Sequence, residues 1–305
     1  KVENPFDAYA DNPFVLPQGR DIEPEDWRGA AAAVYVISRI SGEGKDRTAQ
    51  EGDYRLSEQE REDLRRLDAA ELPVILLINA GGPVELTDLM EQMHHLAAIL
   101  QISQLGQQGG AAVADVLLGK VVPEGKLTAT WARRYTDYPS ADTFGACNGD
   151  LEKEIYTEGI YVGYRYFDSF DIQPLFPFGY GLSYTEFSVE FEGVEADAHA
   201  VRVAVKVSNT GKLYAGREVV QVYAACPQNG GAKEYRRLVG FAKTQQLGPG
   251  ETQCVTIAVD AKQLASFSQE KQAWILEQGV YTLFAGNSSV NCKPCAHLKV
   301  ETEKV

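Results

Sequence analysis

The pattern of apolar residues changes period near Phe191, and that change divides what the two parts of the chain can become. Before it, apolar residues come in short unbroken runs, at Val34–Ile37, Val74–Ile78, Ala98–Ile102 and Leu127–Trp131. Such runs suit strands buried on both faces, as in a parallel sheet. Between the first two lies Ser57-Glu58-Gln59-Glu60, a capping box that opens a helix with Leu64 and Leu67 on one face. Gly109–Leu118 reads as a second, small-residue-rich helix, closed by Gly119. Alternating β and α units imply a layered α/β sandwich around a mostly parallel sheet.

After Phe191 the period becomes two. Val201, Val203, Val205 and Val207 alternate with polar residues, as in a half-buried strand. Further strands are expected at Val219–Ala225, Leu238–Lys243, Cys254–Val259, Trp274–Glu277 and Tyr281–Ala285. Asn209-Thr210-Gly211, Asn229-Gly230-Gly231 and Gly248-Pro249-Gly250 supply the turns. This spacing suggests an all-β sandwich of about 100 residues. The expected division is therefore an α/β domain over residues 1–190 and a β-sandwich over 191–305. Between them runs Tyr161-Val-Gly-Tyr164-Arg-Tyr166-Phe167, then Phe176-Pro-Phe178-Gly-Tyr180-Gly-Leu-Ser-Tyr184. It reads as a clasp between the domains, with a sugar-stacking platform as the alternative.

The 305 residues carry a formal net charge of −14, which argues against a nucleic acid or an anionic membrane as partner. No apolar run approaches the ~20 residues of a membrane span. Lys1-Val2-Glu3-Asn4-Pro5 leads into acidic, turn-rich sequence with no leader pattern, an absence without weight if the chain is a piece of something longer. Cys147, Cys226, Cys254, Cys292 and Cys295 are too scattered for a disulfide framework and point to a reduced, cytoplasmic protein, with secretion the alternative. Cys292 and Cys295 form a lone C-x-x-C with His297 nearby. A zinc site needs four convergent ligands, so no metal and no cofactor is expected.

Chemistry concentrates in Ser41-Gly42-Glu43-Gly44-Lys45-Asp46-Arg47, directly after the first apolar run. Open α/β sheets bind ligands beyond the carboxyl ends of their strands, so a glycine-flanked carboxylate there occupies a proton donor's position. Glu51, in Glu51-Gly52-Asp53, is the rival carboxylate. Other readings fail on chemistry. Arg47 stands where a dinucleotide fingerprint needs its third glycine. Gly119–Lys126 has the wrong glycine spacing for a phosphate loop and is followed by Leu127 rather than Ser or Thr. None of His94, His95, His199 and His297 accompanies a serine elbow.

The chain resembles the C-terminal part of glycoside hydrolase family 3, the β-glucosidases and related exo-acting enzymes. The resemblance rests on motifs in order. They are Ser38–Arg47, Val74–Asn79 with Gly82-Pro83-Val84-Glu85, Leu105–Gly110 through Ala114–Gly119, Pro123–Leu127, Tyr156–Tyr166, Phe178–Tyr184, and Val207–Gly211 with Gly216–Val219. It implies a fold of TIM-like barrel, α/β sandwich and fibronectin-III-like domain, with a catalytic aspartate on the barrel and a glutamate general acid/base in an E-G-x-D-R motif. Glu43-Gly44-Lys45-Asp46-Arg47 matches that motif, making Glu43 the expected acid/base. Asp46 and Arg47 are expected to pair and hold its loop. The barrel would reside on another segment or chain, and the α/β sheet would lack one or two strands at its start. Asn4–Trp27 contains no strand candidate. The expected substrate is a β-glucoside or related oligosaccharide. The alternative is a non-catalytic carbohydrate-binding or assembly module in which Glu43 is idle.

Overall fold

Three of the four apolar runs of the first part pair as a parallel sheet in order β1-β2-β3. The computed structural model describes residues 21–40, 47–144, 152–153, 155–197, 200–229 and 231–301. These strands are β1 (Ala33–Ser38), β2 (Val74–Asn79) and β3 (Leu96–Gln101). The central strand is the most apolar, and Val74, Leu76 and Ile78 are fully buried. A short helix α1 (Pro24–Trp27) precedes β1. The earlier part of Asn4–Trp27 lies outside the described residues.

Helix α2 (Glu58–Ala69) forms where the capping box requires it. The Glu60 amide donates to the Ser57 hydroxyl at 3.1 Å, and the Ser57 amide donates to the Glu60 carboxylate at 2.8 Å. Leu64 and Leu67 are buried, and the Tyr35 hydroxyl on β1 donates to Asp63 of α2 at 3.0 Å. Burial and the adjacent Asp63 raise the Tyr35 pKa, so the phenol stays protonated and keeps that bond. Helices α3 (Thr87–Gln92) and α4 (Gly109–Leu117) complete the series, and Gly119 follows α4 at φ +70°.

Leu127–Trp131 does not form a strand. The Leu127 amide donates to the Tyr180 carbonyl, and the Leu127 carbonyl accepts from the Gly179 amide, both at 2.8 Å. Trp131 and Ala132 are buried, and that burial accounts for the apolar run.

The described residues fall into two units. One holds the parallel sheet and residues 131–137; the other begins with residues 114–130, includes 138–143, and runs from 155 onward. The second unit contains a short helix α5 (Tyr164–Ser169) and a sandwich of two antiparallel sheets. The first sheet has order β4-β5-β8, from β4 (Phe187–Ala196), β5 (Ala200–Asn209) and β8 (Thr252–Asp260). The second has order β12-β11-β6-β7, from β6 (Val219–Ala225), β7 (Arg237–Lys243), β11 (Gly279–Gly286) and β12 (Cys292–Val300). A hairpin of β9 (Ser266–Ser268) and β10 (Ala273–Ile275) lies apart from them. Val201, Val203, Val205 and Val207 all face the core with Val220, Val222, Ile257 and Leu283.

The aromatic run packs on this sandwich. Tyr164 stacks near Phe178 and edge-on to Tyr223 of β6, and its hydroxyl accepts from the Leu238 amide at 2.7 Å. Asp168 on α5 pairs with buried Arg236 at 2.8 Å. Three of the motifs quoted above also converge here. Lys126 pairs with Glu218 at 2.8 Å, both nearly buried, and Lys126 donates to the Gly181 carbonyl at 2.9 Å. A Cβ at residue 181 would lie 2.4 Å from the Gly125 carbonyl oxygen, so this approach needs glycine.

Candidate functional site

The carboxyl ends of β1 and β2 are joined by a network of two arginines and their acceptors. Arg39 follows β1 directly and is 5% exposed. Both of its terminal nitrogens bind the Glu60 carboxylate, at 2.6 and 2.7 Å, a bidentate pair. Its remaining donors reach the carbonyls of Ser38, Asp53 and Arg55 at 2.8, 2.5 and 3.3 Å. Glu60 therefore serves the capping box and the arginine together, tying the start of α2 to the end of β1.

Arg47 lies on the far side of the segment that leaves β1. It binds the Asp53 carboxylate at 2.7 Å, the Asp53 carbonyl at 2.9 Å and the Pro83 carbonyl at 2.7 Å. The last bond reaches the loop after β2. A Cβ at residue 82 would sit 3.4 Å from the guanidinium, so Gly82 leaves room for it. Asp53 also accepts from the Thr48 amide at 2.6 Å and the Thr48 hydroxyl at 3.2 Å. Burial alone would raise its pKa, but the Thr48 amide and the Arg47 guanidinium outweigh burial and lower it. The Asp53 carboxylate is thus ionised near neutral pH.

The loop after β2 is held in turn. The Glu85 amide donates to the Tyr54 carbonyl at 2.8 Å, and the Glu85 carboxylate accepts from the Tyr135 amide at 2.8 Å. Arg134 pairs with Asp88 at 2.6 Å.

Of the residues singled out in the sequence, Arg47 belongs to this network. Glu43 and Asp46 lie outside the described residues. The described partners of Arg47 are Asp53 and Pro83. Glu51, the rival carboxylate, is occupied by Arg61 at 2.6 Å on the surface. Sequence reasoning missed Arg39, Asp53 and Glu60. A signal was available: an arginine directly after a buried strand needs an acceptor set, and the capping box places Glu60 in the first turn of the next element.

Cys292, Cys295 and His297 all lie on β12 with partners of their own. The Arg236 guanidinium donates to Cys292 Sγ at 3.0 Å, Cys295 Sγ donates to the Leu283 carbonyl at 3.4 Å, and His297 Nδ1 meets Thr282 at 3.2 Å. Among the described residues no group of three His, Cys, Asp or Glu side chains is placed to hold a metal ion.

Two family domains are matched along the chain. Residues 14–164 match the glycosyl hydrolase family 3 C-terminal domain, and residues 218–289 match the fibronectin type III-like domain. A β-glucosidase from Ruminococcus albus is 39% identical over 316 residues, covering 100% of this chain and 32% of that protein. β-Glucosidase A from Butyrivibrio fibrisolvens is 38% identical, covering 87% of this chain and 37% of that protein. Among solved structures, β-glucosidase 3B from Thermotoga neapolitana in complex with α-D-glucose has a TM-score of 0.84 at 39% identity, covering 92% of this chain and 39% of that one. The chain spans roughly a third of the length of these curated relatives. By sequence, fold and domain pairing it belongs to glycosyl hydrolase family 3, within which it matches the C-terminal domain and the fibronectin type III-like domain.

Proposed function

We propose that the chain supplies the general acid/base of a retaining, exo-acting β-glucosidase, with Glu43 as the proton donor. The nucleophile comes from a TIM-like barrel on another segment or chain. Glu43 protonates the leaving glycosidic oxygen while a barrel aspartate attacks the anomeric carbon. It then deprotonates the water that releases the glycosyl-enzyme. A retaining pair needs carboxyl groups about 5–5.5 Å apart, so the acid must be presented at a fixed position facing the barrel's sugar pocket. The nearby nucleophile's charge would raise the Glu43 pKa and keep it protonated for the first step.

What carries this reading is the anchoring of Arg39 and Arg47. These residues bracket positions 40–46 at the carboxyl edge of a parallel sheet, and both are bound to one residue, Asp53. A segment that served only as a surface connection would not require two arginines fixed so fully. The relatives' names, β-glucosidases, supply the substrate class.

In the enzyme assembled with its barrel, Glu43→Gln should slow hydrolysis of cellobiose by about 10²–10⁴-fold. Dinitrophenyl β-glucoside, whose leaving group needs no proton, should lose far less in the first step. Added azide should restore turnover by replacing the water that Glu43 activates. An undiminished rate on cellobiose would remove Glu43 from the mechanism. The chain alone, without nucleophile or sugar pocket, should hydrolyse neither substrate.

A further inference from the structure

We propose that Asp53 is the positioning residue of the general acid/base: among the described residues it is the group bonded to both Arg39 and Arg47, which bracket the segment carrying Glu43. This rests on the reading of Glu43 given above. Asp53 accepts from the incoming end through its carbonyl, bonded to Arg39 Nε at 2.5 Å. It accepts from the outgoing end four times: its carboxylate takes Arg47 Nε at 2.7 Å, the Thr48 amide at 2.6 Å and the Thr48 hydroxyl at 3.2 Å, and its carbonyl takes an Arg47 terminal nitrogen at 2.9 Å. The remaining Arg47 donor reaches the Pro83 carbonyl, so Asp53 also sets the offset between the loops after β1 and β2.

The chemistry of the carboxylate matters as well as its place. An amide at position 53 would offer one acceptor oxygen where two are used, and it would aim an NH₂ group at a donor. The backbone bond to Arg39 would survive, so the incoming end would hold while the outgoing end loosened. A glutamate would keep the charge but move it outward by one methylene, displacing Arg47 and Thr48 together. On the reading given above the nucleophile lies on the barrel, so neither change alters it. The loss should therefore fall on proton transfer, not on substrate binding. Small displacements of a reacting group are costly, with about 1 Å enough for roughly a 10²-fold loss.

The test uses the barrel-assembled enzyme as wild type, Asp53→Asn, Glu43→Gln and the double variant, each assayed on cellobiose and on dinitrophenyl β-glucoside. Read on the glycosylation step, Asp53→Asn should lower kcat/KM on cellobiose by about 10²-fold and should slow the pre-steady-state burst of dinitrophenolate from the activated glucoside far less. The double variant should be no slower than Glu43→Gln, because a group acting only through Glu43 has nothing left to position. Equal losses on both substrates, or losses that multiply in the double variant, would overturn the proposal while leaving Glu43 in place. A Glu43→Gln enzyme with wild-type rate on cellobiose would defeat the reading of Glu43 and this inference with it. If Asp53→Asn does not fold by thermal melt, Asp53→Glu takes its place. A leaving-group-dependent loss supports the assignment, and an equal loss on both substrates refutes it.

Discussion

Burial governs the thiols of β12 more than their C-x-x-C spacing does. Burial pushes Cys292 and Cys295 each up to about 11, and for Cys292 the Arg236 guanidinium offsets only part of that rise. At pH 7 about one such thiol in 10⁴ is ionised, and the thiolate is the nucleophile. Cys254, by contrast, is exposed on β8. Native protein treated with iodoacetamide at pH 7 should therefore label Cys254 before Cys292 and Cys295, which label only as pH rises toward 11 or after unfolding. Peptide mass mapping checks the order; early modification of Cys292 would show that the packing around Arg236 opens readily. The same scale shows what a sequence can and cannot reveal about the candidate site. Arg47 stood out because it closes a motif, and it is fixed in the structure. Its acceptor Asp53 did not stand out, because it lies six positions further along the chain and nothing local indicates that the loop folds back. Arg39 was hidden by its type: a buried arginine is uncommon, and only the acceptors around it make it tolerable.

At the scale of elements, packing decides which patterns were legible. β1, β2 and β3 could be read because their apolar runs are unbroken, and β5 because its alternation is clean over Val201–Val207. β4 was overlooked because a bulge between Phe191 and Gly193 breaks its alternation, shifting which residues face inward. β12 was overlooked because Pro294 and two cysteines mask its strand character. Pro294 is accommodated because β12 is the edge of its sheet. Leu127–Trp131 misled in the opposite sense, since an apolar run shows burial but not pairing. The contact that organises that region is the ion pair Lys126–Glu218, with exposures of 13% and 5%. Asn287 also donates to the Glu218 carboxylate at 3.0 Å. Glu218→Ala strands the lysine ammonium among protein groups and should cost about 3–5 kcal/mol. Asp115→Ala removes the partner of Lys120, an exposed pair at 3.0 Å, and should cost less than about 1 kcal/mol. Urea unfolding of the two variants checks the contrast; equal small effects would mean that water reaches Lys126.

For the whole molecule, the two units have separate hydrophobic interiors. Leu76 on β2 and Leu283 on β11 are both fully buried, one in each. Leucine-to-alanine changes at such sites typically cost about 2–5 kcal/mol. Hydrogen exchange read by mass spectrometry should show Leu76→Ala losing protection across β1, β2 and β3 while β5 and β11 keep theirs. Leu283→Ala should do the reverse. Loss of protection in both units from either change would show that they open as one cooperative body.

The position of β12 has a practical consequence for anyone appending sequence to this protein. An outermost strand offers free amides and carbonyls along one side, an invitation for a foreign strand to join and begin an aggregate. Pro294 cannot donate from its nitrogen, and the bulge between Leu283 and Phe284 throws the neighbouring register out of step. Together they spoil the template just where a newcomer would need a regular row of partners.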